Sequence, residues 1–271
     1  SGLFTDSEAS GTGGNITITA GQSVTLNNGS SISASSTGAG NAGTVTIQGL
    51  ASPAQSVLID GAGSGIFTDT RGTGMGGNIF VNANSVTLQN GGTLSAATSG
   101  TAPTATGGTI TVEGNTVQLN SGATITTATS GPGNAGEVIV KADNLTMNGG
   151  ATITAQSTGS GNAGNVTIQG LASPADSVVI SGFDENFNSS GIFTNTQGTG
   201  VGGNIFVNAN SIALSDGGTL SAKTTGPGNA GNISIHADTL TLDGFFTQIQ
   251  ANTGRDSQGR GGNIDVQVRA A

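Results

Sequence analysis

The 271-residue chain has no cysteine, no tryptophan and no tyrosine. Without Cys there are no disulfides, no thiol catalysis and no Cys-ligated zinc, a usage that fits an exported bacterial protein. Charge is scarce as well: only 8 % of residues are charged, and the net charge is −9. Its six basic residues (Arg71, Lys141, Lys223, Arg255, Arg260 and Arg269) are scattered through most of the chain. That pattern argues against nucleic acid, whose phosphates need clustered cations, and against an anionic membrane surface. No apolar run approaches the ~20 residues that span a bilayer, so no membrane insertion is expected. Glycine, by contrast, is abundant, at 49 residues. It lacks the every-third-residue period of collagen.

What the chain does contain is a repeat. Gly13-Gly14-Asn15-Ile16-Thr17-Ile18 returns as Gly76-Gly77-Asn78-Ile79, Gly202-Gly203-Asn204-Ile205 and Gly261-Gly262-Asn263-Ile264, with looser copies from Gly43, Gly107, Gly136, Gly164 and Gly231. The first apolar residues (Ile16, Val45, Ile79, Ile110, Val138, Val166, Ile205, Ile233 and Ile264) are 31 positions apart on average. Each copy holds three short runs of alternating apolar residues, such as Ile16/Ile18, Val24/Leu26 and Ile32/Ala34. Alternation bounded by Gly and Asn predicts half-buried strands, and no segment sustains a helical period.

Three strands with one apolar face each cannot bury that face alone. Coiling the chain and stacking the coils buries all of them in a continuous core. The prediction is an all-β fold, a right-handed parallel β-helix or solenoid of about nine coils, most of them 28–34 residues long, continuous over residues 1–271. At the usual strand spacing of ~4.8 Å the rod would be roughly 43 Å long. Ala34, Ala96, Ala155 and Ala222 suit a narrow triangular interior. Asn15, Asn78, Asn165, Asn204, Asn232 and Asn263 share one repeat position, where stacked amides could hydrogen-bond along the rod. Thr44, Thr109 and Glu137 interrupt that ladder, and the adjacent glycines are expected to supply positive φ at corners.

Multi-coil blocks are duplicated. Ser64–Gly100 matches Ser190–Gly226 at 28 of 37 positions, and Gly40–Ile59 matches Gly161–Ile180 at 17 of 20. The paired Ile66 and Phe67 break strict alternation, which leaves open which of them points inward. Neither end of the sequence shows a polar cap. The chain therefore reads either as an excerpt of a longer repeat protein or as a unit whose ends stack on neighbouring copies. The candidate end-to-end interface is Leu3, Phe4 and Thr5 at one end and Ile264, Val266 and Val268 at the other.

The pattern Gly-Gly-Asn-Ile-x-Ile-x-Ala, then Ser-Val-x-Leu, then Gly-x-x-Ile-x-Ala resembles the body of filamentous-haemagglutinin-type two-partner secretion exoproteins, the bacterial β-strand-repeat surface proteins. The resemblance covers essentially the whole chain. It implies export through an outer-membrane transporter, an extracellular or cell-surface location and a β-helical adhesin or fibre. The secretion domain diagnostic of that family is absent from these residues.

Chemistry-bearing residues are sparse. His236 is the sole histidine, and alternation directs it outward, so zinc or Ser-His-Asp chemistry has little support. A glycosidase needs two carboxyls about 5–9.5 Å apart. Among Glu113, Glu137, Asp143, Asp238 and Asp265, outward Glu113 and Asp143 fall at non-equivalent coil positions. No Trp or Tyr offers a sugar platform. The calcium-binding Gly-Gly-x-Gly-x-Asp nonapeptide does not recur, and Asp6/Glu8 and Asp184/Glu185 are only local acid pairs. Thr17/Thr19, Thr109/Thr111 and Thr124/Thr126 are reminiscent of ice-binding arrays, though equivalent positions elsewhere carry Asn82, Lys141, Gln169 and His236. No enzyme activity and no cofactor is expected.

A loop insertion at residues 182–190 interrupts one coil. Its Phe183, Asp184, Glu185 and Phe187 form a candidate contact loop, either exposed or folded down over the rod. Phe245-Phe246 is a second outgrowth. The expected function is a non-enzymatic structural or adhesive segment of an extracellular fibre that associates with itself through solenoid ends. The alternative is a carbohydrate- or surface-binding adhesin that acts through its loops on glycans or neighbouring cells.

Overall fold

The computed structural model describes residues 1–255 and 257–269. Among them there is no helix, and all strand ladders are parallel. One sheet stacks nine three-residue strands in sequence order: Gly2–Phe4, Ser31–Ser33, Gly65–Phe67, Thr93–Ser95, Thr124–Thr126, Thr152–Thr154, Gly191–Phe193, Thr219–Ser221 and Gln248–Gln250. The other stacks the first strand of each repeat, from Ile16–Thr19 to Ile264–Val268. The chain is a parallel β-helix of about nine turns with three strand segments per turn, as the repeat predicts.

The first and second segments of a turn lie in one sheet. In four turns they form a single strand of 11 residues: Ile79–Gln89, Ile110–Asn120, Val138–Asn148 and Ile205–Ser215. Inward positions run Ile79, Val81 and Ala83, then resume at Val86 and Leu88, so Asn84 and Ser85 both stay out of the core. That one-residue slip bends the chain around a corner while axial pairing continues, with Glu113 on Asn82 and Thr116 on Ser85. The slip is what makes one bent strand look like two in the sequence. On the third side of each turn the axial ladder narrows to single bridges that link Ser7, Ser36, Thr70, Thr98, Thr129, Ser157, Thr196, Thr224 and Thr253 in succession.

The core is aliphatic. In a central turn Ile110, Val112, Val117, Leu119, Ala123 and Ile125 are all fully buried. Each such Val, Leu or Ile contributes about 1.5–3 kcal/mol relative to exposure. Ala34, Ala96, Ala155 and Ala222 are buried as expected, and Ile66 takes the inward place while Phe67 faces out half-exposed. Next to the aliphatic core runs a buried column of hydroxyls. Most cap a carbonyl a few residues on, such as Ser36 Oγ to Gly40 O at 2.6 Å and Thr129 Oγ1 to Gly133 O at 2.9 Å. Thr70 and Thr196, duplicates of one another, bury an Oγ1 with no partner.

The glycines of the signature have a different job from the one expected. Positive φ occurs at another corner, including Gly29, Gly91, Gly122 and Gly217, and not at the Gly-Gly beside the Asn column. There the constraint is axial. A Cβ at Gly77 would lie 1.8 Å from Gly43 O, one at Gly108 1.8 Å from Gly77 O, and one at Gly136 1.9 Å from Gly108 O. The seam continues through Gly164, Gly203, Gly231 and Gly262, each against the carbonyl of the glycine one turn before. Two parallel seams run through Gly40, Gly74, Gly133, Gly161 and Gly200, and through Gly38, Gly72, Gly131, Gly159 and Gly198. Only a residue without Cβ allows backbone to sit on backbone at this distance.

The Asn ladder also differs in its partner. The side-chain oxygen accepts from the backbone N–H of the next turn, not from the next amide. Asn15 Oδ1 accepts from Thr44 N at 2.8 Å, Asn78 from Thr109 N at 2.8 Å and Asn204 from Asn232 N at 2.9 Å. The residue above can therefore be Thr without loss of the bond. A second Asn ladder does the same at Asn41, Asn134, Asn162 and Asn229. Its sequence signal, the recurring Gly-Asn-Ala-Gly, is plain once the column is known.

Candidate functional site

Every complete turn leaves its second segment through a corner that needs positive φ, supplied by pairs such as Asn28-Gly29, Asn90-Gly91, Ser121-Gly122 and Gly149-Gly150. These corners are small and bare. In the sixth turn the corner instead carries the insertion that begins at Gly182. It is a short hairpin, closed by an antiparallel bridge between Phe183 and Ser189. Ser190 then re-enters the rod, donating its N–H to Gly182 O at 2.9 Å and accepting from Gly150 N at 2.9 Å through its buried hydroxyl.

Asp184 organises the hairpin. Its Oδ1 accepts from Asn186 N and Asn188 N, both at 2.8 Å, and its Oδ2 accepts from Asn188 Nδ2 at 2.7 Å. The Asn188 side chain and then the Asn188 backbone hold its carboxyl below the usual Asp value, against a weaker opposing push from burial, and Asn186 adds least. A carboxylate with that many donors is a brace for the loop.

The two outgrowths seen separately in the sequence meet. The Phe183 ring lies across the next corner, where a Cβ on Gly217 would come within 2.2 Å of it. Gly217 has φ +94, so glycine is required there twice over. Having crossed the seventh turn, Phe183 reaches Phe246 of the eighth, edge to face, with centroids 6.2 Å apart and planes at 84°. Phe183, Phe187, Phe245 and Phe246 with Ser189 and Gln248 line one groove of about 670 Å³. Phe187 and Phe245 are 84 % exposed and Phe246 72 %, while Phe183 is half-buried. Four of the nine phenylalanines thus gather at one corner. Of the open alternatives for the loop, both occur: Phe183 folds down and Phe187 stands out.

Two carboxyls, Asp216 and Asp243, stand exposed beside the groove. Asp184 faces the fifth-turn corner instead, its Cβ 2.6 Å from where a Gly150 Cβ would be, and lines a separate hollow there with Glu185. Asp243 Oδ1 accepts from Gly244 N at 2.8 Å, and Asp216 Oδ1 lies 2.3 Å from where a Gly244 Cβ would be, so both carboxyls border the Phe245-Phe246 turn. No Lys or Arg lines the groove.

The other candidate residues are dispersed. Glu113 pairs with Lys141 at 2.8 Å, Asp143 accepts from Leu171 N at 3.2 Å, and Asp238 pairs with Arg269 at 2.7 Å. These acids are engaged one by one. His236 sits half-exposed on the outer wall, edge-on to Phe206 with centroids 5.3 Å apart. On the first-segment wall the column Thr17, Thr46, Phe80, Thr111 and Ile139 mixes types, while on the other sheet Thr93, Thr124 and Thr152 stack for three turns before Gly191 ends the run. At the ends Leu3, Phe4, Ile264, Val266 and Val268 are exposed. Thr5 is half-buried, and its hydroxyl donates to Gly14 O at 2.6 Å, so it turns into the rod and away from the end face.

A scan against protein-family models and searches of curated proteins and of solved structures find no match to this chain.

Proposed function

We propose that this chain is a non-enzymatic structural segment of an extracellular or cell-surface fibre. The observation that carries the reading is the rod itself, about nine turns of parallel strands stacked on seams of bare backbone. The outer edges of Gly2–Phe4 and Ile264–Val268 have parallel partners on one side only, and their apolar side chains are exposed. Unpaired edges of this kind accept another strand, whether from further coils of one polypeptide or from a second copy stacked head to tail. Low charge and Ser/Thr/Asn-rich flanks support a rod that meets its like at the ends and stays hydrated along its sides. The extracellular setting and passage through an outer-membrane transporter rest on the resemblance of the Gly-Gly-Asn-Ile repeats to filamentous-haemagglutinin-type exoproteins. Electron microscopy and light scattering of the 271-residue chain test the association. Filaments or end-joined dimers are expected, and substituting Val266 and Val268 with Lys should return the chain to single rods. Discrete rods at high concentration would refute self-association.

One observation favours a second reading, the surface-binding adhesin: the groove at the sixth to eighth turns gathers exposed aromatic side chains on a braced loop. Exposed aromatic clusters on rigid scaffolds are contact surfaces. Loss of binding to cells or glycans on deleting Gly182–Ser189, with the rod intact, is the result this reading requires.

A further inference from the structure

The chemistry of the groove narrows what it would hold, given the reading of the corner as a contact surface. Its walls are four phenyl rings, which offer π faces and no hydrogen-bonding group. The only polar lining is Ser189 and Gln248. That is too little to satisfy the hydroxyls of a sugar, each of which would be desolvated without a partner. Beside the Phe245-Phe246 turn stand the carboxylates of Asp216 and Asp243, and no basic residue is in the lining. A second copy of the same groove would bring carboxylate against carboxylate, and an anionic lipid surface would be repelled in the same way. The complement of aromatic faces inside a negative rim is a positive charge wrapped in apolar surface.

We propose that the Phe183–Phe187–Phe245–Phe246 groove binds a soluble organic cation of the trimethylammonium type. The edge-to-face contact of Phe183 and Phe246 leaves a re-entrant angle bounded by one ring's face and half of the other's. An N-methyl group seated there touches two π faces, each attractive to a cation through the ring quadrupole. The rim carboxylates neutralise the charge from outside without needing direct contact. The groove is held ready by two features, the Asp184 brace and the bare Gly217 that admits the Phe183 ring.

The test is a titration of the whole chain, followed by NMR, with choline and with its neutral isostere 3,3-dimethylbutanol. The two share shape and differ in charge. Choline should bind at least about tenfold more tightly, the difference expected of a partly desolvated cation–π site. F245A removes a ring that is 84 % exposed, so the core is untouched and circular dichroism should be unchanged. It should weaken choline about two- to fivefold, the loss expected of an exposed cation–π ring. D216N combined with D243N should weaken choline and leave the alcohol unaffected. Equal affinity for choline and the alcohol would overturn the proposal in favour of a merely apolar groove. No binding of choline, or binding that F245A does not change, would overturn it as well. Failure of the broader reading is separable: deletion of Gly182–Ser189 that abolishes surface binding, in a chain that ignores choline, would sink the cation and keep the contact surface.

Discussion

The chain carries its own control. Residues 64–100 and 190–226 are near-copies, yet the corners that precede them differ. Before the first block the chain turns through Gly61-Ala62-Gly63; before the second it runs out through Gly182–Ser189 and returns. The offset between copies grows from 121 to 126 across that point, and every strand beyond it resumes the same register: Ile66 sits under Leu94 as Ile192 sits under Leu220. The comparison separates what a turn must keep from what it can vary. It must keep inward aliphatics, seam glycines and hydroxyl caps. The corner is free, and in the second block it is where the aromatic residues collect.

The largest effect should come from what the two blocks share. Gly77→Ala and Gly203→Ala each place a Cβ 1.8 Å from the carbonyl of the preceding turn's glycine. Each should cost about 3 kcal/mol or more, the upper end of overpacking penalties, because backbone cannot yield as a side chain can. Urea denaturation should show equal losses in both blocks; a harmless substitution in either would mean that the seam is looser than described. Next come the buried hydroxyls. Thr129→Val leaves Gly133 O without its donor and should lose roughly 1–3 kcal/mol. Thr70→Val and Thr196→Val remove an unpartnered hydroxyl and should be neutral or stabilising by up to about 1 kcal/mol.

The corner itself is probed by Gly91→Ala against Gly217→Ala. Both glycines have positive φ, so each substitution should cost about 1 kcal/mol. Only the second also collides with Phe183, and the excess should disappear in an F183A background. The smallest effect concerns Asp69 and its counterpart Asn195. Each accepts a backbone N–H from one turn later, from Ala97 and Lys223, and a hydroxyl, from Ser95 and Ser221. Burial raises the Asp69 carboxyl above its ordinary 3.8, against lowering by Ser95, Ala97 and Arg71. The folded state thus holds that proton more tightly than the unfolded one. Its contribution is most favourable below the ordinary value and is lost as pH rises through the raised one. Asp69→Asn should therefore gain stability at pH 7, by about 1 kcal/mol or less, and nothing at pH 3. Asn195→Asp should show the opposite dependence. Thermal melts across that range decide both.

Much of the scaffold was legible in the sequence because solenoid physics is local and repeated. Inward aliphatics such as Ile110, Val112 and Ile125 alternate, and the same alternation returns every turn. Three things were hidden. The bend at Asn84-Ser85 reads as a break because the inside phase slips by one residue. The signature glycines read as corner residues, since nothing in one turn announces the carbonyl of the turn below. The aromatic groove was invisible as a unit: Phe183 and Phe246 are two turns apart, and their contact depends on a glycine at 217 that carries no side chain to notice.

The seams have a consequence for anything planted on the rod. Where main chain rests on main chain, the rise from one turn to the next cannot depend on which side chains those turns happen to hold. The molecule is in effect a graduated ruler, and an outgrowth on any turn stands at a whole number of divisions from one on any other. Two recognition loops added to such a ruler would be spaced by counting, and their joint grip on a surface would follow from that count.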